Sequence, residues 1–388
     1  MNILVTGIYQ QNKGAELMLK AVTNHLQEEF EHARLAISQF CGPYEWRCRN
    51  GLYQFLEFER FGRSRLAAQV MPASFRQAFG LLLQHEMDAV IDASGFAFGD
   101  QHPPERSVHF ARFVQKSKRL GQKVILLPQS MGPFKHPAIR KAMSQVLALS
   151  DLIYARDAES LQYCRDLHPD NPRLRLAPDF TIPLRHPGLK EDTTASKTVY
   201  VVPNARMIDK TSSRHANTYL DTLKVCIDSV RSCEATVHLL IHDTHEDGQL
   251  VPQIQARLVE PVGVIHADDP LEVKALIARC TLLIGSRYHA LIGALSQGVP
   301  ALGFGWSHKY QALFRDFHCS DLSLPVETSP ADIASHIKSL LSEVDRQPIV
   351  NELNRAATQH TQSIAKMWQQ VDSILRDEPI DQAEAPKG

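Results

Sequence analysis

The sequence predicts an α/β protein of two doubly wound domains, each on a parallel sheet, and three observations lead there. The chain has 388 residues, too many for one ordinary core, and 44% of them are hydrophobic, enough to fill two. Short β-branched runs alternate with amphipathic helical patterns over most of its length. A polar stretch, RHPGLKEDTTASK at residues 185–197, breaks the alternation once before it resumes.

In the first half, strands are expected at residues 2–7, 34–40, 88–94, 123–130, 151–156 and 173–179, with helices such as 15–29 and 105–120 between them. Beyond the polar stretch they are expected at 198–204, 235–242, 262–267, 281–286 and 299–304. Strands separated by helices pair in parallel. The expected domains are therefore 1–185 and 198–347, joined by a linker at 186–197. A long helix at 348–376 follows, then a polar, Pro-containing tail at 377–388 expected to lack fixed structure. Residues 43–79 are the least regular, with Tyr44, Trp46, Tyr53, Phe55, Phe58 and Phe61 among many charges. They read as a helical excursion packing its aromatics into the first core, with an insertion near an acceptor site as the alternative.

Composition narrows the function. Forty-two basic against 43 acidic side chains leave a formal charge of −1, so no global field favours nucleic acid or an anionic membrane. Any anion must be held locally. The opening MNILVTG has neither the basic nor the apolar region of a signal peptide, and no apolar run reaches the ~18 residues of a spanning helix. A cytoplasmic protein without a transmembrane segment is expected, and peripheral membrane contact stays compatible with that. Seven scattered cysteines without a C-x-x-C pair read as reduced thiols. The histidines form no H-E-x-x-H and no paired zinc spacing; His242 and His245 in IHDTHEDG come nearest and read as a solvated loop, so no metal is expected. Oligomeric state has no signal in the sequence.

Open parallel sheets bind ligands at the carboxyl ends of their strands. The first strand runs into TGIYQQNKGAELML, where Asn12 and Gly14 open a helix whose amides are free to approach an anion or a sugar hydroxyl. This is not G-x-G-x-x-G, which argues against NAD. In DASGFAFGDQ, Gly95 and Gly99 allow a wide loop, Asp92 caps it, and Asp100 is the candidate to hold an acceptor hydroxyl. LLPQSMGPF presents Gln129 and Ser130 from a proline-stiffened loop. In YARDAESLQYC, Asp157 is the expected N-cap, and Arg156 at the strand tip is expected to face the cleft and suit a carboxylate or phosphate. TLLIGSRYHALIGALSQGVPALGF is the sharpest case: Ser286 is the expected N-cap, and Arg287, Tyr288 and His289 fill the first helical turn. Helix dipole and two basic side chains converge there on an anion site. His308 and Lys309 follow the next strand, and Lys309 can add positive charge.

Six segments in order resemble the polysaccharide pyruvyl transferase family. They are N-x-G-A-E-x-M-L from Asn12, P-Q-S-x-G-P-F from Pro128, R-D-x-x-S from Arg156, A-P-D from Ala177, V-P-N-x-R-M from Val202, and S-R-Y-H-A-L-I-x-A-L-x-x-G-V-P from Ser286. One departure is Ser94–Gly95, where the family usually has adjacent glycines. The resemblance implies two Rossmann-like domains of the GT-B type facing a cleft, with a C-terminal helix crossing back to the first. It implies phosphoenolpyruvate as co-substrate, with no cofactor, bound mainly by the second domain, and a sugar acceptor in a glycan or lipid-linked precursor. Pyruvate then becomes a ketal bridging two hydroxyls of one sugar. On this reading Arg287, Ser286, Arg156, Lys309 and His308 hold phosphoenolpyruvate. Asn12, Gly14, Gly95, Gln129 and Ser130 meet the acceptor. His289, with an ordinary pKa of ~6.5, is the general acid, and Asp100 the base with His308 as its rival. The competing readings are a GT-B glycosyltransferase using a nucleotide sugar, a related sugar-phosphate epimerase, and a non-catalytic glycan-binding member of the family.

Overall fold

A computed structural model describes residues 1–379, apart from residues 11, 57–70, 187–196, 210–212, 244–245 and 306–307. The chain divides into two compact units. The first comprises Met1–Gln10, Met18–Phe180 and Ser363–Gly388, and the second Gln11–Leu17 and Thr181–Gln362.

The first unit is built on eight parallel strands: β1 (Asn2–Thr6), β2 (Arg34–Ser38), β3 (Tyr53–Phe55), β4 (Leu81–Leu82), β5 (Ala89–Asp92), β6 (Lys123–Gln129), β7 (Leu152–Ala155) and β8 (Leu174–Leu176). Their order is β4-β3-β2-β1-β5-β6-β7-β8. Central strands read as near-continuous apolar runs because helices cover both faces; in β6 (KVILLPQ) every residue after Lys123 is buried. The irregular segment departs from its predicted form. Helix Tyr44–Arg49 leads into β3, and helix Ala73–Ala78 leads into β4, so the chain extends the sheet edge as well as making helical turns. Phe55 is buried, but Tyr44 is more than half exposed, while Phe58 and Phe61 lie outside the described residues.

The second unit has six parallel strands: β9 (Thr198–Val202), β10 (Thr236–Ile241), β11 (Gly263–His266), β12 (Leu282–Gly285), β13 (Ala301–Phe304) and β14 (Ser323–Leu324). They are ordered β11-β10-β9-β12-β13-β14. Helix Ser213–Ser232 buries Leu220, Leu223, Ile227 and Val230, the 3.6-residue stripe that the sheet face demands. Gly303 in β13 leaves room for a ring: a Cβ there would stand 2.4 Å from Phe314, which is fully buried. Gly303→Ala is therefore expected to destabilise the protein by about 1–3 kcal/mol through overpacking, read as a lowered urea midpoint.

The units part at Phe180, ahead of the predicted linker, most of which lies outside the described residues along with the tail from residue 380. Residues just after the boundary are tied into the second unit. Lys274 Nζ donates to the carbonyls of Thr181 (2.7 Å) and Ile182 (3.0 Å), and Arg185 Nη2 to that of Ser296 (2.8 Å). The final helix, Glu343–Leu375, begins ahead of Pro348 and carries it inside, in its second turn. From Ser363 onward it belongs to the first unit. There Trp368 stacks on His25 at 4.2 Å, Asp372 Oδ1 lies 2.9 Å from His25 Nε2, and the Tyr154 hydroxyl donates to Gln370 (2.6 Å). All seven cysteines are free thiols.

Candidate active site

Strand order in the second sheet reverses between β9 and β12, and the carboxyl ends of that pair mark the place where doubly wound sheets bind ligands. Side chains lock the two ends together. Asn204 Nδ2 donates to the Ser286 carbonyl (2.6 Å), as does the Tyr310 hydroxyl (2.9 Å), and the Asn204 amide donates to Tyr219 Oη (3.0 Å). With its carbonyl so used, Ser286 stands one residue ahead of the cap. Arg287 occupies the N-cap position of helix Tyr288–Leu295, without a side-chain cap bond.

Arg287 is less than a tenth exposed, and its fork is already engaged. Nε and Nη2 bond the two oxygens of fully buried Asp247 at 2.7 and 2.5 Å, with Glu246 at 3.6 Å and Asp243 at 3.9 Å. Burial works against the guanidinium's charge, but the Asp247 carboxylate outweighs it and pushes the Arg287 pKa up. Asp247 also accepts from the amides of Ala205 (2.9 Å) and Asp243 (3.1 Å), so it fixes the loops after both β9 and β10. Arg206 is paired as well, with Asp209 and Glu246.

His289 lies one residue inside the helix, and the space beside it exists because residue 14 has no side chain. A Cβ on Gly14 would stand 2.2 Å from His289 Nδ1. Asn12 Oδ1 accepts from the Gly14 amide (2.9 Å), while Lys13 Nζ pairs with Glu16 (3.2 Å) and bonds the Asp268 carbonyl. Asn12 and Gly14 thus group with His289 in the second unit. Tyr288 sets its ring edge-on to His289 at 5.7 Å and to Tyr310 at 5.8 Å. Lys309 Nζ lies over both tyrosine rings at 5.2 and 5.4 Å, and His308 begins helix His308–Asp316.

His242, at the end of β10, is buried, and its pKa is held well below 6.5, by burial first and then by Arg287, His289 and Lys13. Between that depressed value and 6.5 the folded chain binds fewer protons than the unfolded one. The imidazole therefore contributes stability above pH 6.5 that is lost as pH falls through the depressed value. Urea unfolding of the protein and of His242→Asn, from about pH 8 to about pH 5, should show a stability loss on the acid side that is smaller in the variant. Its sequence companion His245 lies outside the described residues.

The remaining candidates belong to the first unit, where they bond other residues of that unit. Arg156, expected to face a ligand, is buried and gives Nη1 to Asp179 (3.0 Å) and Nη2 to Ser130 Oγ (3.0 Å). Ser130 in turn donates to Asp157 (2.7 Å), which caps its helix at Ser160 N (2.7 Å) as predicted. Gln129 Nε2 donates to Asp92 (3.0 Å), a buried carboxyl that also accepts from Thr6 (2.8 Å) and Ser94 (2.9 Å) and whose pKa burial raises. Asp100 accepts from the amides of Lys135 (2.8 Å) and His136 (3.0 Å), and Gly95 takes a left-handed φ of 67°. Sequence reading missed the Asp243–Glu246–Asp247 cluster and Asn204. The acidic run after β10, at a strand's carboxyl end, was the available signal for the cluster.

A model of the polysaccharide pyruvyl transferase family matches residues 12–308, a span that holds Gly14, Asp247, Arg287 and His289. The chain belongs to this family. No curated protein matches its sequence. Solved structures share the family member's fold. A putative UDP-N-acetylglucosamine 2-epimerase from Listeria monocytogenes is 9% identical with a TM-score of 0.63, over 99% of this chain and 99% of that one. The S. aureus MnaA–UDP co-structure is 9% identical with a TM-score of 0.62, over 98% and 99%. Anabaena HepE in complex with UDP-glucose is 14% identical with a TM-score of 0.56, over 97% and 100%. These likenesses place the two parallel-sheet units in the GT-B class, as expected from the sequence. Among the described residues no helix is long and apolar enough to cross a membrane.

Proposed function

We propose that this pyruvyl transferase moves pyruvate from phosphoenolpyruvate onto a sugar, as a ketal bridging two hydroxyls, with release of inorganic phosphate. One observation carries the reading: Arg287 and His289 stand at the carboxyl end of β12, at the second sheet's switch point, in a chain of this family. Phosphoenolpyruvate has a carboxylate and a phosphate on one enol carbon, so its site needs donors in two places a few ångströms apart. The amides that open helix Tyr288–Leu295, oriented by the Arg287–Asp247 pair, serve one group, and Lys309 the other.

Protonated His289 delivers its proton to the methylene carbon, which becomes a methyl group and leaves an oxocarbenium-like centre at the enol carbon. A sugar hydroxyl adds there and loses its proton. The bond from that carbon to the phosphate oxygen then breaks, and a second hydroxyl of the same sugar closes the ketal, its proton passing to the departing phosphate. Asp100, which accepts from two backbone amides and keeps lone pairs beyond them, is the base for the hydroxyl, with His308 as its rival.

The test is incubation with phosphoenolpyruvate and galactose, glucose or N-acetylmannosamine acceptors, reading phosphate release and the mass gained. Release matched by a pyruvyl mass gain is expected. The HepE structure holds UDP-glucose on the same fold, and this is the second reading to try: no phosphate release, with hexose transfer from UDP-glucose, would replace pyruvyl transfer by glycosyl transfer.

A further inference from the structure

The ends of β10, β9 and β12 are in step. Leu239 pairs with Val201, and Val202 with Gly285, so Leu240, Val202 and Gly285 share one level across the three strands. Two residues further on come His242, Asn204 and Arg287, a polar row whose members are each more than nine-tenths buried. Asn204 and Arg287 are bonded within the protein. His242 Nδ1 is buried and has no hydrogen-bond partner among the described residues. A buried polar atom left unbonded costs about 1–3 kcal/mol, and at the carboxyl end of a switch-point strand a bound ligand can supply the missing bond.

The neighbouring charges say which ligand. Arg287 faces Asp247 with Asp243 and Glu246 close by, Arg206 faces Asp209 and Glu246, and Lys13 faces Glu16. These cations are already matched by carboxylates. His242 is held neutral by burial first, and Arg287, His289 and Lys13 also oppose its protonation. A neutral imidazole beside such cations gains a proton more readily when an anion arrives to offset their charge.

We propose that His242 is an anion-binding residue of the donor site, giving a hydrogen bond from Nδ1 to a phosphate oxygen and becoming protonated as the anion binds. The inference extends the pyruvyl transfer reading by naming the residue that meets the phosphate, and it is tested without turnover. Isothermal titration with inorganic phosphate and with phosphoenolpyruvate, near pH 7 in buffers of different ionisation enthalpy, gives both affinity and the protons taken up. Uptake by the unaltered protein is expected, retained in His289→Asn, and abolished in His242→Asn together with an about tenfold or greater loss of phosphate affinity. Equal affinity and equal uptake in His242→Asn would overturn the proposal. Should that variant not fold, the unaltered protein and His289→Asn still decide: absence of uptake in both refutes it. Phosphate binding with proton uptake but without pyruvyl transfer would sink the proposed function and leave this inference standing. Transfer without uptake would do the reverse.

Discussion

His289→Ala should lower pyruvyl transfer by about 10²–10⁴-fold, the range that a positioned general acid contributes, while the unfolding midpoint stays close to that of the unaltered protein. The ring sits at the start of a helix and beside a residue without a side chain, so its removal opens space at a strand end and leaves the packed sheet intact. Phosphoenolpyruvate affinity, measured by titration, should change far less than turnover, because the proton moves only in the transition state. A variant that turns over at the original rate would remove His289 as the acid.

Asp247→Ala should be the most destabilising change at the site. It strands Arg287, buried and charged, without its bidentate partner, a situation that costs about 3–5 kcal/mol in other proteins. The same substitution frees the amides of Ala205 and Asp243, so the loops after β9 and β10 loosen together. Denaturant unfolding should show the loss, and activity should fall with it. Replacing both partners by apolar side chains, Asp247→Leu with Arg287→Met, should return much of the stability and none of the transfer. A double variant as unstable as Asp247→Ala alone would mean that the carboxylate acts through the loops and not through Arg287.

What could be read in the sequence followed burial on both faces. The run KVILLPQ of β6 is apolar because helices cover it above and below, and that signal survives without any structure. Strands β3 and β4, at three and two residues, are too short to show any period, so the edge of the first sheet stayed hidden in an aromatic-rich stretch. At the site, helix-start geometry alone marked Arg287 and His289 as a pair. Nothing local marks Asp247 as the carboxylate that meets Arg287 forty residues on, since an acid in IHDTHEDG reads equally as a solvated loop. Gly14 was legible as a loop glycine, but its partner is a histidine from the far end of the chain, and only the fold brings the two together.

The last helix has a consequence for the order in which the chain acquires its structure. Trp368, Gln370 and Asp372 complete a surface formed by His25 and Tyr154, so the first unit is missing a piece until residue 372 has been made. The second unit needs nothing beyond Gln362, whereas the first, begun at Met1, needs the residues that follow. A fragment ending at Phe180 should therefore be poorly folded and prone to aggregate, and supplying the final helix as a separate peptide should rescue it.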